Sequence, residues 1–168
     1  VPVKFVFADG NSLDATSKVA GVLNSPIFQG YDYGTGFTQY GDAVQRAEFW
    51  SSVSTTSPNW HTLLGTPTVY PTLVINVPKE HGFHYRGSST SPAMWLVDFN
   101  WFWTRMHNAI YQLHIEPTSL PIFLTDNVYL LSPDKTFVYF GYHGSGTTSQ
   151  PIKANGRQRI QTYIYAAW

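Results

Sequence analysis

The chain has 168 residues, with 10 Lys or Arg against 10 Asp or Glu, so its formal net charge is zero and only 12% of its residues are charged. This balance excludes the basic footprint of a nucleic-acid binder, and Lys153, Arg157 and Arg159 are interpreted as a solvated strand edge. The absence of Cys excludes disulfides and thiol chemistry, and charged residues interrupt every apolar stretch that could span a membrane.

Aromatic residues make up 17% of the chain, and Ser, Thr, Gly, Asn and Gln dominate its polar remainder. This composition is typical of an extracellular bacterial surface and predicts a secreted protein. The chain begins without Met or a signal-peptide pattern and ends on an apolar strand, so both ends look cut. We therefore expect residues 1–168 to form a single globular domain that is a fragment of a longer chain.

The first half of the chain alternates strand, loop and helix signals. Residues 1–7 place apolar side chains on one face at period two and predict a strand. Residues 11–37 read mostly as loop, with a short helix near 14–23. Apolar spacing over residues 38–50 predicts an amphipathic helix, in which Asp42 and Arg46 form an i,i+4 pair.

The second half carries the longest periodic segment. Residues 72–78 predict a strand, and a loop over residues 79–91 follows it. The pattern over residues 91–115 predicts one long core-packing helix, with Ser91 and Pro92 as its cap and first turn.

Residues 122–131, 136–144 and 159–168 predict strands after two prolines. The resulting order, β-α-β-α-β-β-β, predicts an α+β (mixed α/β) fold in which a single sheet carries two or three packed helices.

One candidate site is a possible metal centre in the segment "KEHGFHYRG". Glu80, His81 and His84 offer three ligands, one carboxylate and two imidazoles, of types that zinc accepts. Gly82 and Pro78 argue against a helix that would aim both imidazoles at one point. Solvated loop histidines therefore remain the alternative.

A second candidate site lies in "FGYHGSG". Glycines on both sides of His143 allow close backbone approach, so His143, with Tyr142 beside it, is a candidate ligand-binding residue at a cleft edge. A tight hairpin with a surface His is the alternative. No complete catalytic motif occurs elsewhere in the sequence, and Asp98 is interpreted as a partner for a backbone or Arg group.

Five segments, "TQYGDAVQRAEFW", "NWHTLLGTP", "LPIFLTDNVYLL", "GYHG" and "IQTYIYAAW", together resemble the front part of a group of uncharacterised secreted proteins of soil bacteria. In that group the last strand precedes a helix with a His-Glu metallopeptidase-like motif. The resemblance implies that this chain is the non-catalytic amino-terminal, sheet-bearing portion of a zincin-like protein. Zinc would then belong to the full-length parent, and the partners would be an extended peptide and the missing carboxy-terminal part of the same chain.

Two other hypotheses compete with this one. An extracellular carbohydrate- or polymer-binding module would use exposed aromatic rings. The candidates that lie outside the helical stripes are Trp60, Tyr70, Tyr85 and Trp168. A structural surface or assembly subunit would use its bare terminal strand for edge-to-edge association.

Overall fold

A computed structural model of the chain describes residues 1–34, 36–56, 59–147 and 160–168. The chain divides into two compact units, the first formed by residues 1–17 and 69–168 and the second by residues 18–68. The predicted α+β class is confirmed. The basic residues Lys153, Arg157 and Arg159 lie outside the described residues, and no helix in the described part of the chain is long and apolar enough to cross a membrane.

The elements follow one another in this order. The strands and helices are β1 (Val3–Phe7), β2 (Ser12–Asp14), a 3-10 turn (Ala15–Lys18), α1 (Val19–Leu23), β3 (Tyr31–Asp32), β4 (Phe37–Thr38), α2 (Tyr40–Thr56), β5 (Leu73–Val77), β6 (Gly82–Tyr85), β7 (Met94–Asp98), α3 (Phe99–Gln112), β8 (Ile122–Thr125), β9 (Val128–Leu131), β10 (Val138–Tyr139), β11 (Gly141–Thr147) and β12 (Ile160–Ala167).

The strands of the first unit are divided among three sheets, where the sequence predicted a single sheet. Their orders are β2-β1-β5, β10-β9-β7-β6 and β11-β12-β8, and each contains one parallel pair. The turn between β8 and β9 contributes to this division. Asn127 in this turn adopts a positive φ of 49°, and β9, which follows it, pairs in a different sheet from β8. Asn tolerates this left-handed conformation better than most residues do.

Helix α3 supplies much of the core of the first unit. It buries Phe102, Met106, Ala109 and Ile110, the spacing of an amphipathic helix. The Phe102 ring lies 5.2 Å from that of Phe5 on β1, measured between centroids. Burial of each large side chain of this kind contributes about 1.5–3 kcal/mol to folding.

The predicted long helix over residues 91–115 is wrong in its first third. Met94–Asp98 forms the strand β7, whose four apolar side chains are all buried because both faces of the strand are covered. Trp95 and Val97 pack into the main core, and Met94 and Leu96 pack with Leu131 on the other face. Such a run has no period-two signal, so it cannot be told from a buried helix by pattern alone. Asp98, and not Ser91, is the N-cap residue of α3. The predicted loop over residues 79–91 likewise contains β6.

The second unit contains α1, the short β3–β4 ribbon and α2. The helix predicted over residues 38–50 is confirmed as α2, which continues to Thr56 with a break in helical geometry at Phe49. Its first backbone N–H, at Tyr40, donates to the Pro26 carbonyl at 2.9 Å. This bond satisfies one of the donors that a helix start leaves free.

Candidate functional site

The three predicted metal ligands lie at the beginning of β6 and just before it. His81 Nδ1 lies 3.0 Å from the Asp98 carboxylate, while the His84 ring stacks on Trp95 at 4.8 Å between centroids. Glu80 is exposed. Across the described ranges, no group of three or more His, Asp or Glu side chains is placed to hold a metal ion, so these three are not brought to one point.

The four predicted ligand-binding residues are spread over both units. His143 is exposed on β11, and its neighbour Tyr142 is half-buried on the opposite, inner face. Tyr85 is exposed at the end of β6. Trp60 is half-buried in the second unit, where its carbonyl accepts a hydrogen bond from the Arg46 guanidinium. Tyr142 is the one that joins a cluster of buried polar groups.

That cluster lies where α3 meets the inner faces of β11 and β12. Two glycines of β11 make room for it. A Cβ on Gly146 would lie 2.2 Å from His107 Cε1, and a Cβ on Gly144 would lie 2.8 Å from the Tyr163 hydroxyl. No real Cβ tolerates such separations, so the rings occupy the space that side chains would fill. We call His107, Tyr142, Gln161 and Tyr163 the inner polar cluster.

Within the described part of the chain, three polar atoms of the inner polar cluster are buried without a hydrogen-bond partner. They are His107 Nε2, the Tyr142 hydroxyl and Gln161 Oε1. The Gln161 side chain is only 2% exposed, and its amide is fixed because Nε2 donates to the carbonyls of Ser119 at 2.9 Å and Thr162 at 2.8 Å. Each unmatched buried group costs about 1–3 kcal/mol.

Burial keeps the cluster uncharged near neutral pH. Burial lowers the pKa of His107 and raises the pKa of Tyr142. The neighbouring Tyr163 hydroxyl raises the pKa of Tyr142 further. Tyr142 and Tyr163 do not have the geometry of a hydrogen bond. His107 is therefore a neutral imidazole, and Tyr142 a neutral phenol.

Aromatic rings surround the polar atoms of the cluster. The His107 ring lies 4.0 Å from Trp103 and 5.1 Å, edge-on, from Tyr163, between centroids. Tyr142 contacts Phe99 at 5.0 Å and Tyr163 at 5.8 Å. A few polar atoms among aromatic rings is the composition that the linings of small-molecule sites share. The three atoms are themselves buried, so a ligand reaches them only by displacing packed rings.

The second unit holds a different arrangement, built on a buried carboxylate in the first turn of α2. Asp42 is fully buried. Its Oδ1 accepts from the Thr62 backbone N–H at 2.6 Å, and its Oδ2 accepts from the Thr38 hydroxyl at 2.6 Å and lies 2.8 Å from His61 Nδ1. Burial alone would raise the pKa of Asp42, but the bonds from Thr38, His61 and Thr62 outweigh it and lower the pKa.

The predicted helix pair between Asp42 and Arg46 is not formed among the ion pairs of the described residues. Asp42 binds the three donors above, and Arg46 stacks over Trp50 at 4.6 Å and donates to the Trp60 carbonyl. The i,i+4 spacing allowed the pair, but Thr38, His61 and the Thr62 backbone already satisfy the buried carboxylate.

Sequence reasoning missed His107, Gln161 and His61 as site residues. For His107 and Gln161 the one available signal was the alternation in "GYHGSGT", where glycines occupy the inner positions opposite Tyr163 and Gln161. For His61 no local signal exists, because 19 residues separate it from Asp42.

No family model, curated protein or solved structure matches this chain. The resemblance to the amino-terminal portion of secreted metallopeptidase-like proteins therefore stays a prediction. Sequencing the source gene beyond the codon for Trp168 tests it, since a His-Glu helix must follow within a few dozen residues.

Proposed function

We propose that the first unit is a binding module for a small uncharged ligand that carries neighbouring hydroxyl groups, the chemistry of monosaccharides and polyols. The observation that carries the proposal is the set of three buried, unpartnered polar atoms in the inner polar cluster. Native proteins leave few such atoms unmatched, so a set of three in one cluster indicates an external partner.

The chemistry of the three atoms selects the ligand class. Gln161 Oε1 can only accept a hydrogen bond, whereas the Tyr142 hydroxyl can donate or accept. A neutral His107 also offers either role at Nε2, according to its tautomer. A hydroxyl group both donates and accepts, so a ligand with two or three of them matches all three atoms. The cluster itself is uncharged, which favours an uncharged ligand.

The aromatic walls fit the same class. Sugar rings present apolar C–H faces between their hydroxyl groups, and Tyr and Trp rings pack well against such amphipathic surfaces. Trp103 is 38% exposed beside His107, so one wall of the cluster extends to the protein surface.

The test is a titration of the protein with glucose, galactose, mannose, N-acetylglucosamine and glycerol, followed by the NMR signals of the His107 ring. We expect saturable shifts with at least one of them. Tyr142→Phe should weaken binding about fivefold, the value of one hydrogen bond of about 1 kcal/mol. It should not lower the free energy of unfolding, because the hydroxyl it removes has no partner.

Tyr111→Phe is the control, since it removes a tyrosine hydroxyl at a 52% exposed position on α3, the helix that carries His107. This substitution should change neither the affinity for the ligand nor the free energy of unfolding. The proposal is wrong if no compound of the panel gives saturable shifts, or if Tyr142→Phe leaves the affinity of a bound compound unchanged. Ordered waters on all three atoms would then account for the cluster.

A further inference from the structure

A second site, in the other unit and of a different chemical kind, centres on Asp42 and His61. The half-exposed imidazole of His61, with 43% of its side chain accessible, is held by a carboxylate that is completely buried. A buried carboxylate with three donors fixes the position of whatever it binds. The imidazole is therefore oriented, while one of its edges remains accessible to a ligand.

The contacts of Asp42 determine the tautomer of His61. With its pKa lowered, the Asp42 carboxylate is ionised and offers only lone pairs. The hydrogen of neutral His61 must then lie on Nδ1, 2.8 Å from Oδ2. Nε2 carries the free lone pair, so His61 is prepared to accept a proton there.

His61 lines an open groove of about 320 Å³ together with Gly30, Phe37, Thr38, Gln39 and Leu63. This volume is within the range of small-molecule sites. The exposed Phe37 and Leu63 side chains, accessible over 77% and 58% of their surface, give the groove apolar walls. A small apolar group is what these walls can bind.

Gln39 and Phe37 fix the walls of the groove. Gln39 donates to the carbonyls of Phe28 and Leu64, both at 2.9 Å, and accepts from the Leu64 N–H at 2.7 Å. The Phe37 ring lies directly on the Gly30 backbone, where a Cβ would be 2.3 Å from its Cε1 atom. The groove is thus formed by groups that already have their partners, and His61 Nε2 is available for a ligand.

We propose that His61 is the general base of a hydrolytic site that accepts esters with a short apolar acyl or aryl group. Nε2 takes a proton from a water molecule, and the resulting hydroxide attacks the ester carbonyl carbon. The carbon–oxygen bond to the leaving group breaks, and the proton on Nε2 passes to the leaving oxygen. Asp42 acts as a positioning residue, because it touches His61 and not the substrate.

The assay is hydrolysis of p-nitrophenyl butyrate by the whole protein, corrected for the buffer rate. His61→Asn keeps an amide N–H near the position of Nδ1, so the buried carboxylate retains a donor, while Nε2 is lost. General-base catalysis contributes about 10²–10⁴-fold, and we expect a loss of that size. His114→Asn is the control, since His114 is exposed and its φ of 51° suits Asn.

Asp42→Asn supplies the readout that separates positioning from mere packing. Without the carboxylate, the Nδ1–H group loses the acceptor that orients the ring, so kcat should fall while KM stays near its unmodified value, because Asp42 does not touch the substrate. Nitrogen NMR of the unmodified protein should show His61 as the Nδ1–H tautomer, and this measurement stands if Asp42→Asn does not fold.

Four results would each overturn the proposal. They are a protein rate no greater than that of free imidazole at the same concentration, full activity in His61→Asn, an equal loss in His114→Asn, and an Nε2–H tautomer. Because the site is in the second unit, its failure would leave the ligand-binding proposal for the first unit untouched.

Discussion

Gly146→Ala probes the close approach of α3 to β11. The new methyl group would lie 2.2 Å from His107 Cε1 and 3.1 Å from Nε2, far inside van der Waals contact. The imidazole cannot move freely, because Trp103 and Tyr163 contact it on two sides at 4.0 and 5.1 Å between centroids. The substitution must therefore shift packed groups and not the tip of a flexible side chain.

Overpacking of this kind costs about 1–3 kcal/mol. For a chain of this length each kcal/mol corresponds to about 2–4 °C in melting temperature, so we expect a decrease of about 2–12 °C. Urea unfolding and thermal melting, both followed by circular dichroism, measure the change.

A double-mutant cycle with His107→Ala identifies the cause. If the imidazole is the group that the methyl displaces, Gly146→Ala should cost little once His107 has been truncated, and the coupling energy should account for most of the single-mutant cost. An equal cost in both backgrounds would refute the argument, since the destabilisation would then come from the backbone of β11.

Three further predictions test the burial and hydrogen bonding of individual residues. Burial lowers the pKa of His107. Below about pH 6.5 the unfolded chain therefore binds a proton at His107 that the folded protein does not bind, and the free energy of unfolding decreases as the pH falls. Between pH 7 and 5 the free energy of unfolding should decrease more in the unmodified protein than in His107→Gln, and urea unfolding at each pH measures both. Equal decreases in the two proteins would contradict the lowered pKa of His107. Thr38→Val removes a hydrogen bond to the ionised Asp42 and should cost about 1.5–3 kcal/mol in urea unfolding; a cost below 0.5 kcal/mol, on the order of a surface change, would contradict it. Phe102→Ala, at a fully buried position, should cost about 3–5 kcal/mol by the same measurement, whereas Tyr85→Ala, at a 37% exposed position, should cost far less; similar costs would contradict the burial assignments.

The local elements of this protein follow from its sequence wherever one face of an element is buried. Residues 1–7 alternate because β1 has one buried face. The apolar spacing over residues 38–50 correctly predicted a helix, but Tyr40, Val44 and Trp50 stay exposed in α2, so this helix does not bury the stripe that the pattern indicated. Periodicity records which side of an element is apolar, and that property is local. The α+β class follows from the order of such elements, and the sequence was sufficient for it.

The strand β7 marks the limit of local reasoning. The side chains of Met94 to Val97 are buried on both faces of β7, so their sequence shows no period-two pattern. The sequence-based prediction therefore included this segment in the helix that follows it. Only pairing with β6 and β9 distinguishes it as a strand. The division of the strands into three sheets depends in the same way on pairings between distant segments.

The two candidate sites depend even more on tertiary structure. Tyr142 was identified from the sequence, but its partners come from α3 and β12, and nothing in the spacing of residues places His107 beside Gly146. From the sequence, Asp42 was predicted to pair with Arg46 on its own helix, whereas in the folded chain it contacts His61, 19 residues away. Residue chemistry sets what each group can do, since a carboxylate accepts and an imidazole accepts or donates. Which groups meet, and how deeply they are buried, is decided by the packing of segments that the sequence keeps apart.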